Sequence, residues 1–416
     1  MANATDALLT TSDGRPLKAA LAQAQARAKR RAFFLVTPLL LFIILTFLVP
    51  IGYMLKRSFE HDGFSKSTPQ LTAWFTANAD EAAPDEAAYA ALVADLAQMQ
   101  IDKTLGLAAT RINYTVPGMI SKFKSAARSA KDMTPPFKEA MLALDPAWGE
   151  AKVWSAMRSA SSKYTSDFYR VAADQKRGDD GGWAKGGDKE RIYIYLFIKT
   201  FVLAGVITFI CLLLAFPVAH LLATLPLAKA SLLMILVLLP FWTSLLVRTT
   251  AWIVLLQQQG VVNSLLVWMG LIGDDGRLVM INNQTGTIIA MSHVLLPFMV
   301  LPLYSVMKTI PPSYARAARS LGGTSWTTFR RIYLPQTIPG IAAGSLLVFI
   351  LAVGYYLTPA LVGGADGILI SNLIDFHMDK SNWSLAAALA ALLLVAILIL
   401  YWVYDRLIGI DRLKFG

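Results

Sequence analysis

Side chains that ordinarily carry out chemistry are sparse and scattered in this chain. The four histidines, His61, His220, His293 and His377, form no H-E-x-x-H pair. His220 and His293 fall at or within apolar runs, where a hydrogen-bonded interior histidine is the ordinary occupant. The one cysteine, Cys211, excludes a disulfide framework and any Cys-rich zinc or iron–sulfur site. Set in an apolar run, it reads as a small buried hydrophobe. No G-x-S-x-G nucleophile elbow occurs. Gly182-Trp183-Ala184-Lys185-Gly186-Gly187-Asp188-Lys189 has the glycines of a phosphate loop but not its G-K-[ST] ending. The sequence offers no catalytic residue, no metal site and no nucleotide site of its own.

The informative chemistry is mechanical. Pro311-Pro312 stops an apolar run, and Ser313 is placed to cap a short helix. The alanines of Tyr314-Ala315-Arg316-Ala317-Ala318-Arg319-Ser320-Leu321 favour helix and give a flat face. Gly322 and Gly323 can adopt the left-handed conformation that ends a helix. Thr324 or Ser325 then starts a second helix, with Trp326, Phe329 and Ile332 sharing one face, and Pro335 is expected to end it. One reading is a helix–turn–helix that passes a push from a soluble partner into flanking membrane spans. The other is an amphipathic interfacial loop, and spacing alone does not choose between them.

The elements that hold this segment are read from composition. Of 416 residues, 56% are hydrophobic and 16% charged, against about 25% charged in soluble domains. Six segments meet the roughly 20-residue requirement for a membrane helix. They are Phe33–Leu55, Ile192–Ala223, Leu232–Leu256, Thr287–Val306, Ile338–Leu361 and Leu385–Tyr404. The first is read as a retained anchor, because Lys56-Arg57-Ser58 follows it instead of a small-residue cleavage site. The net charge of +11 is unevenly placed: residues 60–191 carry −1 and the rest +12. Basic residues cluster in the leader (Arg15, Lys18, Arg27, Lys29, Arg30, Arg31), between spans four and five (Lys308, Arg316, Arg319, Arg330, Arg331) and in the tail (Arg406, Arg412, Lys414). The alternate short loops hold Asp274, Asp275, Asp366, Asp375 and Asp379 against Arg277 and Lys380. This asymmetry puts both termini in the cytoplasm and argues against nucleic acid as the partner of the basic excess.

The expected fold is therefore an all-α membrane protein. It divides into a basic leader (1–32), a first span (33–55), an extracytoplasmic insertion (56–191), a five-span core (192–408) containing the 311–335 loop, and a tail (409–416). Pro84 and the acidic Asp85-Glu86 mark a helix start in the insertion. Further helices are expected around Met119–Lys131, Phe137–Leu144, Glu150–Ser161 and Ser166–Ala173, with a flexible return linker over Gly178–Asp188.

The 314–335 segment resembles the EAA loop of ABC importer permeases, E-A-A, three residues, G, nine residues, I-x-L-P. Ala317, Ala318, Gly322, Ile332, Leu334 and Pro335 fall in register, beside Gly323, while Arg316 stands where that pattern has glutamate. The likeness runs from about Ile192 to the C-terminus. Pro240–Arg248, Leu296–Tyr304 and Tyr356–Gly364 are similar to the spermidine/putrescine branch. The resemblance implies the fold of a type I permease and transport by alternating access, with polyamine as solute. It further implies a second permease subunit, two cytoplasmic ATPases carrying the ATP and magnesium, a periplasmic solute-binding protein, and a bacterial inner membrane with its lipid as the setting. A permease for another small solute and a membrane-anchored sensor or enzyme working through the insertion are the alternatives. A polyamine path should offer aromatic faces and carboxylates. Trp242, Tyr304, Tyr355, Tyr356 and Asp375 are candidates, and Arg248, costly inside a span, is expected to pair with carbonyls or a partner's acid.

Overall fold

A computed structural model describes residues 17–78, 83–187 and 191–408. The leader's Arg15, the tail 409–416 with Arg412 and Lys414, and Asp188 lie outside the described residues. Helices long and apolar enough to cross a membrane run over Ala24–Phe59, Ile192–Thr224, Gln284–Thr309, Ser325–Gly354 and Trp383–Arg406. A sixth span is counted if the bent pair Leu227–Trp242 and Leu245–Trp268 is taken as one.

The described residues up to Arg57 belong to a unit of their own. Within it Leu17–Ile43 continues through a π-helical turn, Ile44–Leu48, into Val49–Phe59. The helix is apolar on all sides from Phe33 onward, which suits a lipid-facing span. Thr37 and Thr46 donate back to the Phe33 and Phe42 carbonyls at 2.7 Å each, so neither hydroxyl is left bare in apolar surroundings.

The second unit begins with the insertion. Its longest helix, Glu86–Asp102, is started by Asp85, whose carboxylate accepts from Ala88 N at 2.8 Å. Shorter helices at Met119–Ser129, Phe137–Leu144, Ala151–Ser161 and Asp167–Ala172 follow, close to the expected bounds. They enclose a core in which Phe123 packs edge-on against Trp148 and Tyr89 against Trp154. Beside it, buried Arg111 pairs with Asp167 at 3.0 Å and lies over the Phe168 ring at 4.7 Å. The insertion is closed at its base, where Thr165 N donates to Phe59 O at 2.8 Å and His61 N to Lys163 O at 3.0 Å. Of the flexible linker expected over Gly178–Asp188, residues up to Lys185 belong instead to a two-stranded antiparallel hairpin, Gln175–Arg177 with Trp183–Lys185. Trp183 holds it there, stacked under Arg177 at 4.4 Å.

The insertion is joined firmly to the helix bundle. Asp174 accepts from Tyr193 N and Ile194 N at 3.0 and 2.8 Å, and so caps the Ile192–Thr224 helix at its positive end. The Ile192–Thr224, Gln284–Thr309 and Ser325–Gly354 helices form the centre of the bundle, with Ile207, Cys211, Met299, Leu303 and Val348 fully buried. Glycines permit the closest approach: a Cβ on Gly340 would stand 3.1 Å from the Pro302 carbonyl and 3.2 Å from Leu303 Cα.

Two spans differ from expectation. The third is not continuous over Leu232–Leu256 but turns by 98° after Trp242. Pro240 lacks the N–H that would continue the helix, and Thr243 and Ser244 take extended backbone angles. The fifth begins at Ser325 and ends at Gly354, not over Ile338–Leu361; Tyr355 is extended and a short helix, Leu357–Val362, follows.

Candidate functional site

The 311–335 segment is a helix–turn–helix whose second arm is the start of a spanning helix. Pro312–Ser320 forms the first arm. Its N-cap is Pro311, not Ser313, and no side chain caps it, because the proline pair already fixes the entry conformation. The turn is a Schellman motif. Gly323 N donates to Ala318 O and Gly322 N to Arg319 O, both at 3.0 Å, with Gly322 at φ +85°. Thr324 caps the second arm through Thr327 N at 3.2 Å.

Pro335 does not end that arm. Ser325–Thr328 runs through a π-helical turn, Phe329–Tyr333, into Leu334–Gly354. A proline inside an α-helix clashes with the carbonyl four residues back, here Arg331, and leaves it without a donor. The wider π turn accommodates both effects. It also changes the apolar face. Trp326, Phe329 and Tyr333 stack in sequence at 5.8 and 6.1 Å, while Ile332 turns toward a cavity behind the first arm. Phe216 of the Ile192–Thr224 helix meets Phe329 edge-on at 6.0 Å, and His220 Nδ1 and Tyr333 Oη share a 2.9 Å hydrogen bond. The turn thus sits toward the end of the Ile192–Thr224 helix opposite the Asp174 cap, about 40 Å along it at His220. Leu321, at the tip, is 90% exposed and Trp326 is 68% exposed.

A second group of residues surrounds the two helix breaks. Arg248 Nη2 donates to the Thr243 carbonyl at 3.2 Å, satisfying an acceptor that the bend releases, while its buried Nε has no partner among the described residues. Its charge lies within electrostatic reach of His293 and Tyr355. His293 in turn accepts from Trp252 Nε1 at 3.1 Å. At the other break, the freed Tyr355 carbonyl accepts from Ser371 Oγ at 2.6 Å, and the Tyr356 carbonyl, which takes Ala360 N at 3.0 Å, also accepts from Asn372 Nδ2 at 2.7 Å.

The six residues named for the solute path are only partly gathered. Arg248 and Tyr355 share the region of the breaks, with Tyr356 beside them. Tyr304 is 11 residues beyond His293 on the same helix, about 16 Å away. Asp375 is on the Ile370–Asp379 helix, in the connection to the last span. Trp242, the last residue before the bend, is 86% exposed. Trp252 and His293 were not singled out from sequence as a pair. Their separation of 41 positions gives no local signal, and only the bend brings them together. Among the described residues no group of three or more His, Cys, Asp or Glu is placed to hold a metal ion.

Residues 191–408 match the family described as binding-protein-dependent transport system inner membrane component, and the insertion lies outside the match. The chain is 36% identical over 222 residues to the spermidine/putrescine transport system permease protein PotB of Escherichia coli strain K12, covering 52% of this chain and 80% of that protein. It is 32% identical over 225 residues to the inner membrane ABC transporter permease protein YdcU of the same organism, covering 51% and 71%. Among solved structures, a bacterial ABC transporter involved in the import of the acidic polysaccharide alginate aligns with a TM-score of 0.43 at 21% identity, over 54% of this chain and 80% of that one. The chain belongs to the family of inner-membrane components of binding-protein-dependent transport systems, as the multi-pass permease subunit of an ABC importer, with transport and not catalysis as its work.

Proposed function

We propose that this permease imports polyamines of the spermidine/putrescine type by alternating access, with the 311–335 element receiving the work of ATP hydrolysis. The observation that carries the coupling role is the continuity of that element with the Ser325–Gly354 helix: a displacement at the turn has no loop in which to dissipate. The exposed Leu321 and Trp326 supply a docking tip for an ATPase subunit. In this reading Arg316, Ala317, Ala318, Gly322, Gly323, Ile332, Leu334 and Pro335 form the coupling site. A second permease, two ATPases with their ATP and magnesium, and a solute-binding protein complete the machine. Both termini and the coupling element face the cytoplasm, and the insertion faces the opposite side.

The solute class is supported by the 36% identity to PotB. The path runs past Trp242, Tyr304, Tyr355, Tyr356 and Asp375, aromatic faces and a carboxylate suited to an ammonium-bearing chain. Arg248 favours a second reading, a neutral or anionic solute, because its buried Nε lacks a partner. Competition in uptake separates the two. The reconstituted importer is offered labelled putrescine against unlabelled spermidine, an amino acid and a sugar. Competition by spermidine alone supports the polyamine reading; transport of a neutral or anionic solute that polyamines do not block defeats it.

A further inference from the structure

Behind the first arm of the coupling element lies a cavity of about 560 Å³, bounded by the ends of three spanning helices. Among the described residues, three cations line it, Lys308, Arg316 and Arg319, and no Asp or Glu does. Lys308 reaches only the Ala223 carbonyl, at 3.4 Å. The side chains of Arg316 and Arg319 have neither ion pair nor hydrogen bond among the described residues. They are three apart on one helix and so face the same way. The first turn of that helix also borders the cavity and carries no side-chain cap, which adds the positive end of its dipole. On the remaining sides, Met307 and Ile310 give an apolar wall, Tyr314 borders the opening, and the Tyr333 hydroxyl is held by His220 Nδ1 at 2.9 Å.

We infer that this cavity is a binding site for a phosphate-bearing anion, met either as the headgroup of an anionic phospholipid or as a free phosphate. Two arginines with planar donor forks and a lysine match several phosphate oxygens at once. Its level in the bundle, where apolar spans give way to polar arms, is the level of bilayer headgroups, and the Met307–Ile310 wall suits the glycerol and acyl carbons below one. The same three cations repel a polycation, so the cavity is not a station on a polyamine path. The cavity shares Arg316 and Ile332 with the coupling element, but binding of an anion there is read directly and does not depend on the coupling role proposed above. An anion seated there would bridge the first arm to the spanning helices and fix its angle.

The test uses the full-length chain in neutral detergent, with bound molecules counted by native mass spectrometry. It is titrated separately with phosphatidylglycerol, phosphatidylcholine and inorganic phosphate. The expected result is binding of phosphatidylglycerol in preference to phosphatidylcholine, weakened about fivefold by Arg316→Ala or Arg319→Ala and about 30-fold by both. Arg330→Ala with Arg331→Ala removes equal charge from residues that do not line the cavity, and should leave binding in place. Displacement of the lipid by millimolar phosphate identifies a soluble source; its persistence identifies the membrane. Equal retention of both lipids with no phosphate binding, or unchanged binding in the Arg316/Arg319 double variant, overturns the inference. So does a phosphatidylglycerol preference lost equally in the Arg330/Arg331 control.

Discussion

Gly322 gives the sharpest mechanical prediction, because strain and steric conflict separate cleanly around it. Its φ of +85° is a conformation that an L side chain enters at a cost of roughly 1–2 kcal/mol, yet a Cβ there meets nothing within 4 Å. Gly322→Ala is therefore a pure backbone perturbation. It disfavours the Schellman turn by about 5- to 30-fold relative to conformers that release the Gly323 N to Ala318 O bond. Gly322→Asn should retain most function, since asparagine tolerates the left-handed region better. Gly322→Leu adds bulk at a tip meant for docking and should uncouple fully. Gly323→Ala fails for another reason: its Cβ would sit 2.8 Å from Ala318 O, the acceptor of its own N–H. The assay is solute-stimulated ATP hydrolysis and uptake in proteoliposomes, with membrane insertion checked separately. The expected order of coupling is wild type, Asn, Ala, Leu. Wild-type coupling in both Gly322→Ala and Gly322→Leu would refute the role assigned to the turn.

Other expectations follow from the same geometry. Gly340→Val should lower detergent-solubilised stability by about 1–3 kcal/mol, because backbone atoms of Pro302 and Leu303 cannot yield, whereas Gly205→Ala, with nothing within 4 Å of its Cβ, should not; thermal unfolding compares them. With Cys211 replaced, single cysteines at the exposed Ala87 and Asp379 should react with an impermeant thiol reagent from outside the cell and one at Ser325 should not; outside labelling at Ser325 would reverse the orientation. Burial pushes the His377 imidazole, which shares a 3.1 Å hydrogen bond with Tyr193 Oη, from 6.5 down to about 4. The folded chain therefore holds His377 neutral where the unfolded chain protonates it. That stability is whole above pH 6.5 and is lost as pH falls toward 4, by about 3 kcal/mol in all. His377→Gln should flatten this part of the pH–stability profile, and an unchanged slope would contradict the assignment.

Much of the fold is legible in the sequence because its causes are local. The Phe137–Leu144 helix begins after a proline pair and ends before Asp145-Pro146, and both boundaries fall where those residues put them. The Asp85 cap and the Gly322 turn are likewise dictated by one residue each. What escapes the sequence is direction. A hydropathy window over Leu232–Leu256 sums composition and is blind to a 98° turn at Thr243-Ser244. Pro335 reads as a stop because a proline breaks an α-helix, and nothing local announces the π turn that absorbs it. The three-residue strands at Gln175–Arg177 and Trp183–Lys185 are too short for alternation to show. The region around Arg248, His293 and Tyr355 exists only once the bends are made.

The central claim is that this permease moves solute uphill with force delivered at the 311–335 turn. Proteoliposomes holding the chain with its partner permease, ATPases and solute-binding protein, loaded with ATP on the ATPase side, test it by accumulation of labelled spermidine. The account predicts accumulation above the external concentration that requires ATP and is abolished by Gly322→Leu while the complex stays assembled. Equilibration without accumulation, indifferent to ATP and unchanged in the Gly322→Leu complex, would contradict it.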